Sequence, residues 1–414
     1  MQHIAIVGAS LAGLRAAETL RSEGFNGSIT MVGAEAAKPY NRPPLSKQIL
    51  TGKQVPMDLD FPGAADIDVD WRLGRTAIRL DLRASRIELD DGGAVNFDGL
   101  IIATGVAPRM PDIAGGTFRG VHVVRTVDDA VALKADLQPG RKLIVVGAGF
   151  IGCEVAASAR QLGLDVMIVD PVPSPMARVL TAQLGSVFEQ IHRERGVEFA
   201  FGRTVTSIEG DGSVRAVILD DGARLEADIV VFGIGSVPAI GWLKDSGLLL
   251  DNGVVCDEFC LALNGGGRIA AAGDVASWAN VGYNGLMMRV EHWSNAVDQG
   301  IAAARSLLHG RVAPYAPVMS MWSDQYEFKL QVLGAPALGP TVKVAQGAIE
   351  QRKFIAECWA GDRLMGVVSV NMPARIAAYR QRLGSELQCL IEAHTLGRQF
   401  VSPSVVADTL PNAI

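Results

Sequence analysis

One glycine-rich segment constrains the fold of this chain more than any other feature. Residues 147–152 read Gly-Ala-Gly-Phe-Ile-Gly, a complete G-x-G-x-x-G, and they follow an apolar run over 143–146. A helical pattern comes next, and a second apolar run over 165–169 ends at Asp170. This order of strand, tight turn, helix and strand predicts a Rossmann-like unit whose helix N-terminus binds a dinucleotide pyrophosphate.

The N-terminal segment carries a second loop of the same kind. An apolar strand pattern ends at Gly8, a helical pattern follows, and Gly13 allows the helix to approach the strand closely. Ser10 stands where the middle glycine would be, and its small side chain still permits close approach of a ligand to the backbone. A second strand is predicted over 28–32, and Glu35 lies just past its end, where a carboxylate accepts hydrogen bonds from a ribose diol.

Two dinucleotide loops on one chain predict two dinucleotides, a flavin and a nicotinamide. A single match is compatible with a glycine turn that binds nothing, but two matches, each with a terminal acid, argue against that interpretation. Asp170 is predicted to bind the adenosine 2′-OH and to repel a 2′-phosphate. No arginine follows it directly, and Arg178 is the first cation beyond it. NADH is therefore favoured over NADPH.

Length, charge and cysteine usage narrow the class of protein. A chain of 414 residues is expected to form two or three domains. The net charge of −6 argues against a nucleic-acid partner. The sequence has neither an apolar run of bilayer length nor a signal-peptide pattern at its start, so no membrane association is expected. Five cysteines without framework spacing suit a reducing cytoplasm.

A further set of segments carries a family resemblance. Residues 39–47 read Pro-Tyr-Asn-Arg-Pro-Pro-Leu-Ser-Lys, and characteristic segments recur at 100–105, 272–274, 289–293 and 322–326. Together with the two glycine loops, they resemble the oxygenase-coupled NADH–ferredoxin reductases, which are FAD proteins of glutathione-reductase-like architecture. The resemblance covers essentially the whole chain and weakens after about residue 370.

The resemblance implies an α/β fold with two Rossmann-like dinucleotide-binding domains and a C-terminal α+β domain. The FAD domain would be discontinuous, over residues 1–111 and 236–312. The NADH domain would be inserted between its parts, over 112–235. An interface domain over 313–414 would close over the flavin and help to form the surface for a partner.

The resemblance also assigns site residues. Lys47 would lie beside flavin N5 with Glu154 as its ion-pair partner, although the two would also suit an ordinary structural pair. The other implied FAD contacts are Gly8, Ser10, Ala12, Gly13, Glu35, Arg42, Ala77, Ala103, Thr104, Gly105, Arg125, Gly273, Asp274, Glu291, His292 and Trp293. The implied NADH contacts are Gly147, Gly149, Phe150, Ile151, Gly152, Glu154, Asp170, Gly233, Ile234 and Gly235.

Several of these assignments have alternatives. Asp274 would accept a hydrogen bond from the ribityl chain, would cap a helix, or would do both. Phe150 would cover the flavin until nicotinamide displaces it, or would belong to the core. His292 is expected to act through its backbone rather than as an acid or base. Trp293 is expected to contribute packing rather than to conduct electrons.

The implied reaction passes a hydride from NADH to flavin N5 and then single electrons to a [2Fe–2S] ferredoxin, which supplies a cytochrome P450 or a Rieske dioxygenase. The segment over 39–47 has no cysteine pair to relay electrons, and all five cysteines are expected to be buried. No metal site is expected, and the protein is expected to be a monomer. The alternatives are an NADH-dependent reductase of a quinone, a rubredoxin or another small acceptor, an NADH oxidase, and an NADH-sensing flavoprotein like apoptosis-inducing factor.

One segment departs from the family. Residues 319–321 are Met-Ser-Met, where these reductases usually have a proline and aromatic residues near the flavin edge. Because methionine side chains are adaptable, this surface is expected to suit a different ferredoxin.

Overall fold

The computed structural model describes residues 1–64 and 66–396. Residues 397–414, which fall in the predicted C-terminal domain, lie outside the described residues. The α-helices, in chain order, are α1 (Leu11–Ser22), α2 (Val127–Asp136), α3 (Phe150–Gln161), α4 (Ala182–Glu194), α5 (Trp293–His309) and α6 (Ile376–Thr395).

The strands follow the same chain order. Those up to residue 201 are β1 (His3–Val7), β2 (Ser28–Gly33), β3 (Asp70–Leu73), β4 (Ala77–Asp81), β5 (Arg86–Leu89), β6 (Ala94–Asn96), β7 (Gly99–Ile102), β8 (Val106–Pro108), β9 (Val121–His122), β10 (Lys142–Val146), β11 (Asp165–Asp170) and β12 (Val197–Phe201). The later ones are β13 (Val205–Gly210), β14 (Val214–Leu219), β15 (Arg224–Glu226), β16 (Ile229–Phe232), β17 (Ser236–Pro238), β18 (Val254–Cys256), β19 (Ile269–Ala271), β20 (Ala276–Asn280), β21 (Leu286–Met288), β22 (Ser320–Gln325), β23 (Phe328–Gly334), β24 (Thr341–Ala348), β25 (Lys353–Ala360) and β26 (Arg363–Val370).

The first sheet is parallel, with the strand order β19-β7-β1-β2-β3. Its central strand β1 is apolar, and Ile4 and Ile6 are fully buried, as expected for a parallel sheet covered on both faces. Helices α1 and α5 pack together closely. A Cβ added at Gly300 of α5 would meet the carbonyl oxygen of Ala12 in α1 at 2.5 Å.

The second sheet has the order β12-β11-β10-β16-β9 and is also parallel. Strand β10 enters the turn at Gly147, whose φ of +107° suits a residue without a side chain. Helix α3 then returns along the sheet. A Cβ at Gly152 would lie 2.0 Å from the carbonyl oxygen of Gly147, so only glycine permits the observed approach of helix to strand.

The C-terminal sheet is antiparallel, with the order β22-β23-β26-β25-β24, and α6 packs against it. Its inner face also covers α4 of the second unit, because Phe188 shares one hydrophobic cluster with Leu330 and Phe354. The remaining small sheets are β4-β5-β6, β13-β14-β15, β18-β20-β21 and the pair β8-β17.

This architecture confirms the predicted fold class, with two Rossmann-like units and a C-terminal α+β unit. Strand β19 joins the first sheet although it follows the whole second sheet in the chain. Where the chain passes between the two units, β8 and β17 pair antiparallel. This connectivity supports a discontinuous first domain, and the boundaries over 1–111, 112–235, 236–312 and 313–414 stay predictions.

The contact at Gly152 generates a stability prediction. We expect Gly152→Ala to destabilise the protein by about 1–3 kcal/mol, because the added methyl must separate α3 from the preceding turn. Gly149→Ala is the matched control, since a Cβ there would meet only the Gly233 carbonyl oxygen, at 3.9 Å. Thermal unfolding midpoints measure both variants. Equal midpoints for the two variants would contradict this account of the turn.

Candidate active site

A single cavity of about 960 Å³ lies between the two parallel sheets and the C-terminal sheet. Residues of both glycine loops line it, among them Ser10 and Ala12 from the first loop and Gly149 and Ile151 from the second. Its size suits a large organic ligand. The two predicted dinucleotide loops therefore open into one common space.

The N-termini of α1 and α3 are both uncapped. Ser10 and Gly149 occupy the N-cap positions, and neither makes a side-chain cap hydrogen bond. The first N–H groups of a helix need acceptors, and the helix dipole favours an anion there. Both helix starts line the cavity. This arrangement fits two pyrophosphate groups, one at each helix.

The acid after the first loop is held by its own neighbours. Tyr40 donates its hydroxyl to Oε2 of Glu35 at 2.6 Å, and the guanidinium of Arg42 bonds Oε1. Arg42 also donates to the carbonyl oxygen of Arg125 at 2.6 Å. Tyr40 and Arg42 line the cavity, whereas Glu35 lies behind them. Each carboxylate oxygen has a further lone pair for another donor, and the ribose contact of Glu35 stays a prediction.

Asp170, the acid after the second loop, lines the cavity. Its Oδ2 accepts from the backbone N–H of Ala148 at 2.6 Å, and its Oδ1 accepts from that of Val172 at 2.7 Å. These bonds fix the carboxylate at the end of β11. Arg178 and Arg203 line the same part of the cavity, and sequence reasoning had not assigned Arg203 any role.

Asp274 and Arg125 form an ion pair on the cavity wall. Nη2 of Arg125 lies 3.1 Å from Oδ2 of Asp274. Burial raises the pKa of the Asp274 carboxyl, and the Arg125 guanidinium opposes that rise. Asp274 lies in a short 3-10 turn over Gly273–Val275 and does not cap an α-helix. The helix-cap alternative is therefore wrong, and the ribityl contact stays a prediction.

The pair Lys47 and Glu154 is present and buried. Lys47 Nζ lies 2.9 Å from Oε1 of Glu154, and the two side chains are 11% and 4% exposed. Ser46 donates to Oε2 of Glu154 at 2.5 Å, and Ser323 donates to Oε1 at 2.7 Å. Three donors from distant parts of the chain therefore compensate this buried carboxylate.

Behind Ser323 the polar contacts continue into the protein. Nε2 of Gln325 donates to Ser323 Oγ at 3.1 Å, and Oε1 of Gln325 lies 2.9 Å from Nε2 of His192. The hydroxyl of Tyr326 lies 3.1 Å from Nδ1 of His192. Gln325, Ser323 and His192 are all fully buried. Burial lowers the pKa of His192 to about 4.

The start of α5 forms another wall. His292 is its N-cap residue, and its Nδ1 is buried with no hydrogen-bond partner. Burial lowers the pKa of His292 to about 4, so the ring is neutral at pH 7. Trp293 donates from Nε1 to Oδ1 of Asn41 at 3.0 Å, and its ring packs edge-on against Trp322 with centroids 5.8 Å apart.

Glu291 lies just before this helix and forms an ion pair with Arg289, whose Nη1 lies 2.6 Å from Oε1 of Glu291. Its Oε1 also accepts from the hydroxyl of Ser236. The Nε of Arg289 is buried without a partner, and both residues line the cavity. Unpartnered donors such as this one favour a polar ligand in the cavity.

Most of the sequence-predicted site residues meet at this cavity. Those on its wall are Ser10, Ala12, Arg42, Lys47, Ala103, Gly105, Arg125, Gly149, Phe150, Ile151, Glu154, Asp170, Gly233, Ile234, Gly235, Gly273, Asp274, Glu291, His292 and Trp293. Those that do not line it are Gly8, Gly13, Glu35, Ala77, Thr104, Gly147 and Gly152. The four glycines of this second group shape the turns, whereas Ala77 is buried in β4. Contact of each residue with a cofactor stays a prediction.

Phe150 fits both of its predicted interpretations. It lines the cavity as the first residue of α3, and it also packs against the cluster between α4 and the C-terminal sheet. In the segment over 319–321, Met319 is only 2% exposed, so it cannot contact a partner directly. Met321 lines the cavity, and the next residue, Trp322, is 39% exposed.

The expectation that every cysteine is buried is wrong for one of them. Cys153, Cys256, Cys260 and Cys358 are buried, whereas Cys389 is exposed because it lies on the outer face of α6. Burial raises the pKa of each of the four buried thiols. No cysteine of residues 1–64 and 66–396 lines the cavity.

Sequence reasoning missed the polar chain behind Glu154. Ser46 and Ser323 lie within segments that carry the family resemblance, so a signal was present, but nothing in those segments indicated their shared contact. His192 lies on the buried face of α4, a helix with an ordinary amphipathic pattern. No local feature of the sequence distinguishes it from a core histidine.

Known proteins resemble this chain over nearly its full length. Residues 2–300 match the family described as pyridine nucleotide-disulphide oxidoreductase, and residues 320–395 match the one described as reductase C-terminal. Rhodocoxin reductase from Rhodococcus erythropolis is 40% identical over 389 residues, which cover 93% of this chain and 90% of that protein. The ferredoxin–NAD(+) reductase component of the anthranilate 1,2-dioxygenase system from Burkholderia cepacia is 37% identical over 386 residues, which cover 92% and 93%.

A solved structure agrees with these relationships. The fold matches the covalent putidaredoxin reductase–putidaredoxin complex with a TM-score of 0.88 and 31% identity. The match covers 95% of this chain and 99% of that chain. At this level of identity and coverage, the three units of the fold correspond as a whole.

The buried ion pair generates a stability prediction. We expect Lys47→Ala to destabilise the protein by about 3–5 kcal/mol, because it leaves the Glu154 carboxylate buried without its cation. Lys53→Ala, at an exposed position a few residues along the chain, is the matched control and should change stability by less than about 0.5 kcal/mol. Thermal or urea unfolding at pH 7 measures both. Similar losses for the two variants would show that the pair is not a stabilising feature.

His192 generates a pH prediction. Its folded-state pKa of about 4 lies below the unfolded value of about 6.5, so the unfolded state binds more protons between these values. The free energy of unfolding is therefore expected to fall as the pH decreases from about 6.5 toward 4. Protonation of His192 in the unfolded state should account for a loss of about 2.5 kcal/mol by pH 4.5. His192→Gln should lose less stability over this range than the wild type. His394→Gln, on the exposed side of α6, should retain the wild-type dependence.

Proposed function

Since this chain belongs to the pyridine nucleotide-disulphide oxidoreductase family, we propose that it is an FAD-dependent NADH:ferredoxin reductase serving an oxygenase. The resemblance predicted from the sequence is confirmed by the relatives, whose names include ferredoxin–NAD(+) reductase components. The observation that carries the proposal is the opening of two uncapped helix N-termini, those of α1 and α3, into one cavity. One helix would hold FAD, and the other would hold NADH.

The first half of the cavity fits FAD. The uncapped start of α1 offers N–H groups to a pyrophosphate, and Arg42 and Arg125 add positive charge nearby. Asp274 offers a buried carboxylate acceptor for a sugar hydroxyl. FAD, when bound, accepts two electrons from a nicotinamide and can release them one at a time. Lys47 would supply a positive charge where negative charge grows on the flavin.

The second half fits NADH. The start of α3 offers its N–H groups, and Asp170 is fixed by two backbone bonds at the end of β11. Its negative charge favours a free ribose hydroxyl over a 2′-phosphate. Arg203, which faces the same region, is paired with Asp221 at 3.0 Å, so its charge is partly neutralised. The preference for NADH over NADPH is therefore kept in the proposal.

We propose that the flavin passes its electrons to a ferredoxin, because the relatives include a component named as a ferredoxin–NAD(+) reductase of a dioxygenase system. No thiol of the described residues lines the cavity, so an acceptor must approach from outside. Trp322 is the exposed aromatic residue at the cavity edge, and it contacts Trp293 behind it. A [2Fe–2S] ferredoxin docked there would lie close to the redox centre and would supply a cytochrome P450 or a Rieske dioxygenase.

We place the FAD domain over 1–111 and 236–312, the NADH domain over 112–235 and the interface domain over 313–414. The described residues contain no helix able to cross a membrane. Cysteine usage favours the cytoplasm, and a monomer remains the proposed state.

Purified protein tests this function directly. It should be yellow, NADH should bleach it rapidly, and NADPH should do so much more slowly. Cytochrome c reduction by NADH should then depend strongly on an added ferredoxin from an oxygenase system. Fast quinone reduction or fast oxygen consumption without ferredoxin would contradict the proposal and would favour a reductase of a small acceptor or an NADH oxidase.

A further inference from the structure

The polar chain behind Glu154 has a fixed direction of hydrogen bonding. Oε1 of Gln325 carries no hydrogen, so Nε2 of His192 must be the donor across their 2.9 Å contact. The amide nitrogen of Gln325 then donates to Ser323, and the Ser323 hydroxyl donates to Glu154. Each of these groups passes a hydrogen bond on toward the carboxylate, on which the chain ends. The amide nitrogen of Gln325 also donates to Sδ of Met176, at 3.7 Å.

The far end of the chain agrees with this direction. With its proton on Nε2, neutral His192 accepts at Nδ1, where the hydroxyl of Tyr326 lies 3.1 Å away. Burial lowers the pKa of His192 to about 4, so the ring stays neutral at physiological pH. The Tyr326 hydroxyl can donate to Nδ1 in this tautomer, so this contact is consistent with the direction inferred from Gln325.

The chain brings separate parts of the fold to one carboxylate. Glu154 lies on α3 of the second unit, and Lys47 follows a 3-10 turn in the loop after β2 of the first unit. Ser323 and Gln325 lie two residues apart on β22, so both point to the same face of the C-terminal sheet. The set of donors around Glu154 is therefore incomplete without the C-terminal unit.

We propose that Ser323 and Gln325 are positioning residues that hold the Glu154 carboxylate turned toward Lys47. They would act on flavin reduction through that lysine and not by touching a substrate. This inference rests on the proposed function in one respect, the presence of a flavin beside Lys47. The hydrogen bonds of the chain do not depend on it.

The other charged groups around Glu154 have partners of their own. Lys47 is the charged group within ion-pair distance of Glu154, and the neighbouring thiol of Cys153 stays protonated because burial raises its pKa. Asp324 points to the opposite face of β22 from Ser323. On the strands packed against α3, Asp170 binds two backbone N–H groups, Asp165 pairs with Arg160, and Lys142 pairs with Glu226.

Removing the Ser323 hydroxyl should loosen the carboxylate. Oε1 of Glu154 would retain Lys47 but lose the donor on the side of the C-terminal sheet. A buried acceptor that loses a partner is destabilised in its original position. The carboxylate, and with it the Lys47 ammonium, would then no longer be held at one place in the site.

Two variants and one control test the proposal. Ser323→Ala removes the donor to Glu154, and Gln325→Met replaces the donating amide by an apolar side chain of similar length. Ser369→Ala is the matched control, since Ser369 is fully buried in β26 of the same sheet and its Oγ has no hydrogen-bond partner. Ser323→Thr restores a hydroxyl and serves as the rescue variant.

The readout is the anaerobic reduction of the bound flavin by NADH in a stopped-flow instrument, which separates the limiting rate of reduction from the apparent Kd for NADH. In Ser323→Ala and Gln325→Met, the limiting rate should fall about tenfold, while the apparent Kd and the FAD content stay within about twofold of the wild type. Ser369→Ala and Ser323→Thr should keep the wild-type limiting rate.

A wild-type limiting rate in both variants would overturn the inference, and so would an equal loss of rate in Ser369→Ala. Failure of NADH to reduce the wild-type flavin would refute the proposed function instead.

Discussion

The structure depends most on one buried carboxylate. Glu154 is 4% exposed and would be costly to bury alone, so the fold must supply donors to it. Those donors come from Lys47 and Ser46 in the first unit and from Ser323 in the C-terminal unit. Because removing one partner from such a site leaves an uncompensated charge, the three units are tied to one relative arrangement at this point.

The same constraint explains where the cavity lies. Each parallel sheet ends its first strand in a glycine turn and starts a helix whose N–H groups have no side-chain cap. Placed apart, these would be two separate anion sites. The contact between Lys47 and Glu154 joins the two units, and both helix starts line one cavity. Two dinucleotides bound there would have their reactive ends close together. The C-terminal sheet covers that space and contributes Met321 and Trp322 to its wall.

Local patterns predicted the elements but not the contacts between them. The loops at Gly8–Gly13 and at 147–152 specified both Rossmann-like units, because strand, turn and helix are close in sequence and glycine is sterically required there. The Lys47–Glu154 pair was reached through the family resemblance alone, since 107 residues separate its members (154 − 47). The chain from Ser323 to His192 was missed, because its direction depends on distances between elements. Cys389 was wrongly expected to be buried, because a weakly amphipathic helix does not indicate which face a cysteine occupies.

The most direct test of the account is a single-turnover experiment on Glu154→Gln. The variant keeps the shape of the side chain but removes its charge, so FAD should still bind. We expect anaerobic reduction of the flavin by NADH to be slower than in the wild type by on the order of tenfold or more, since Lys47 loses the charge that holds it at the site. A wild-type rate in a variant that retains FAD would contradict the central role of the buried pair.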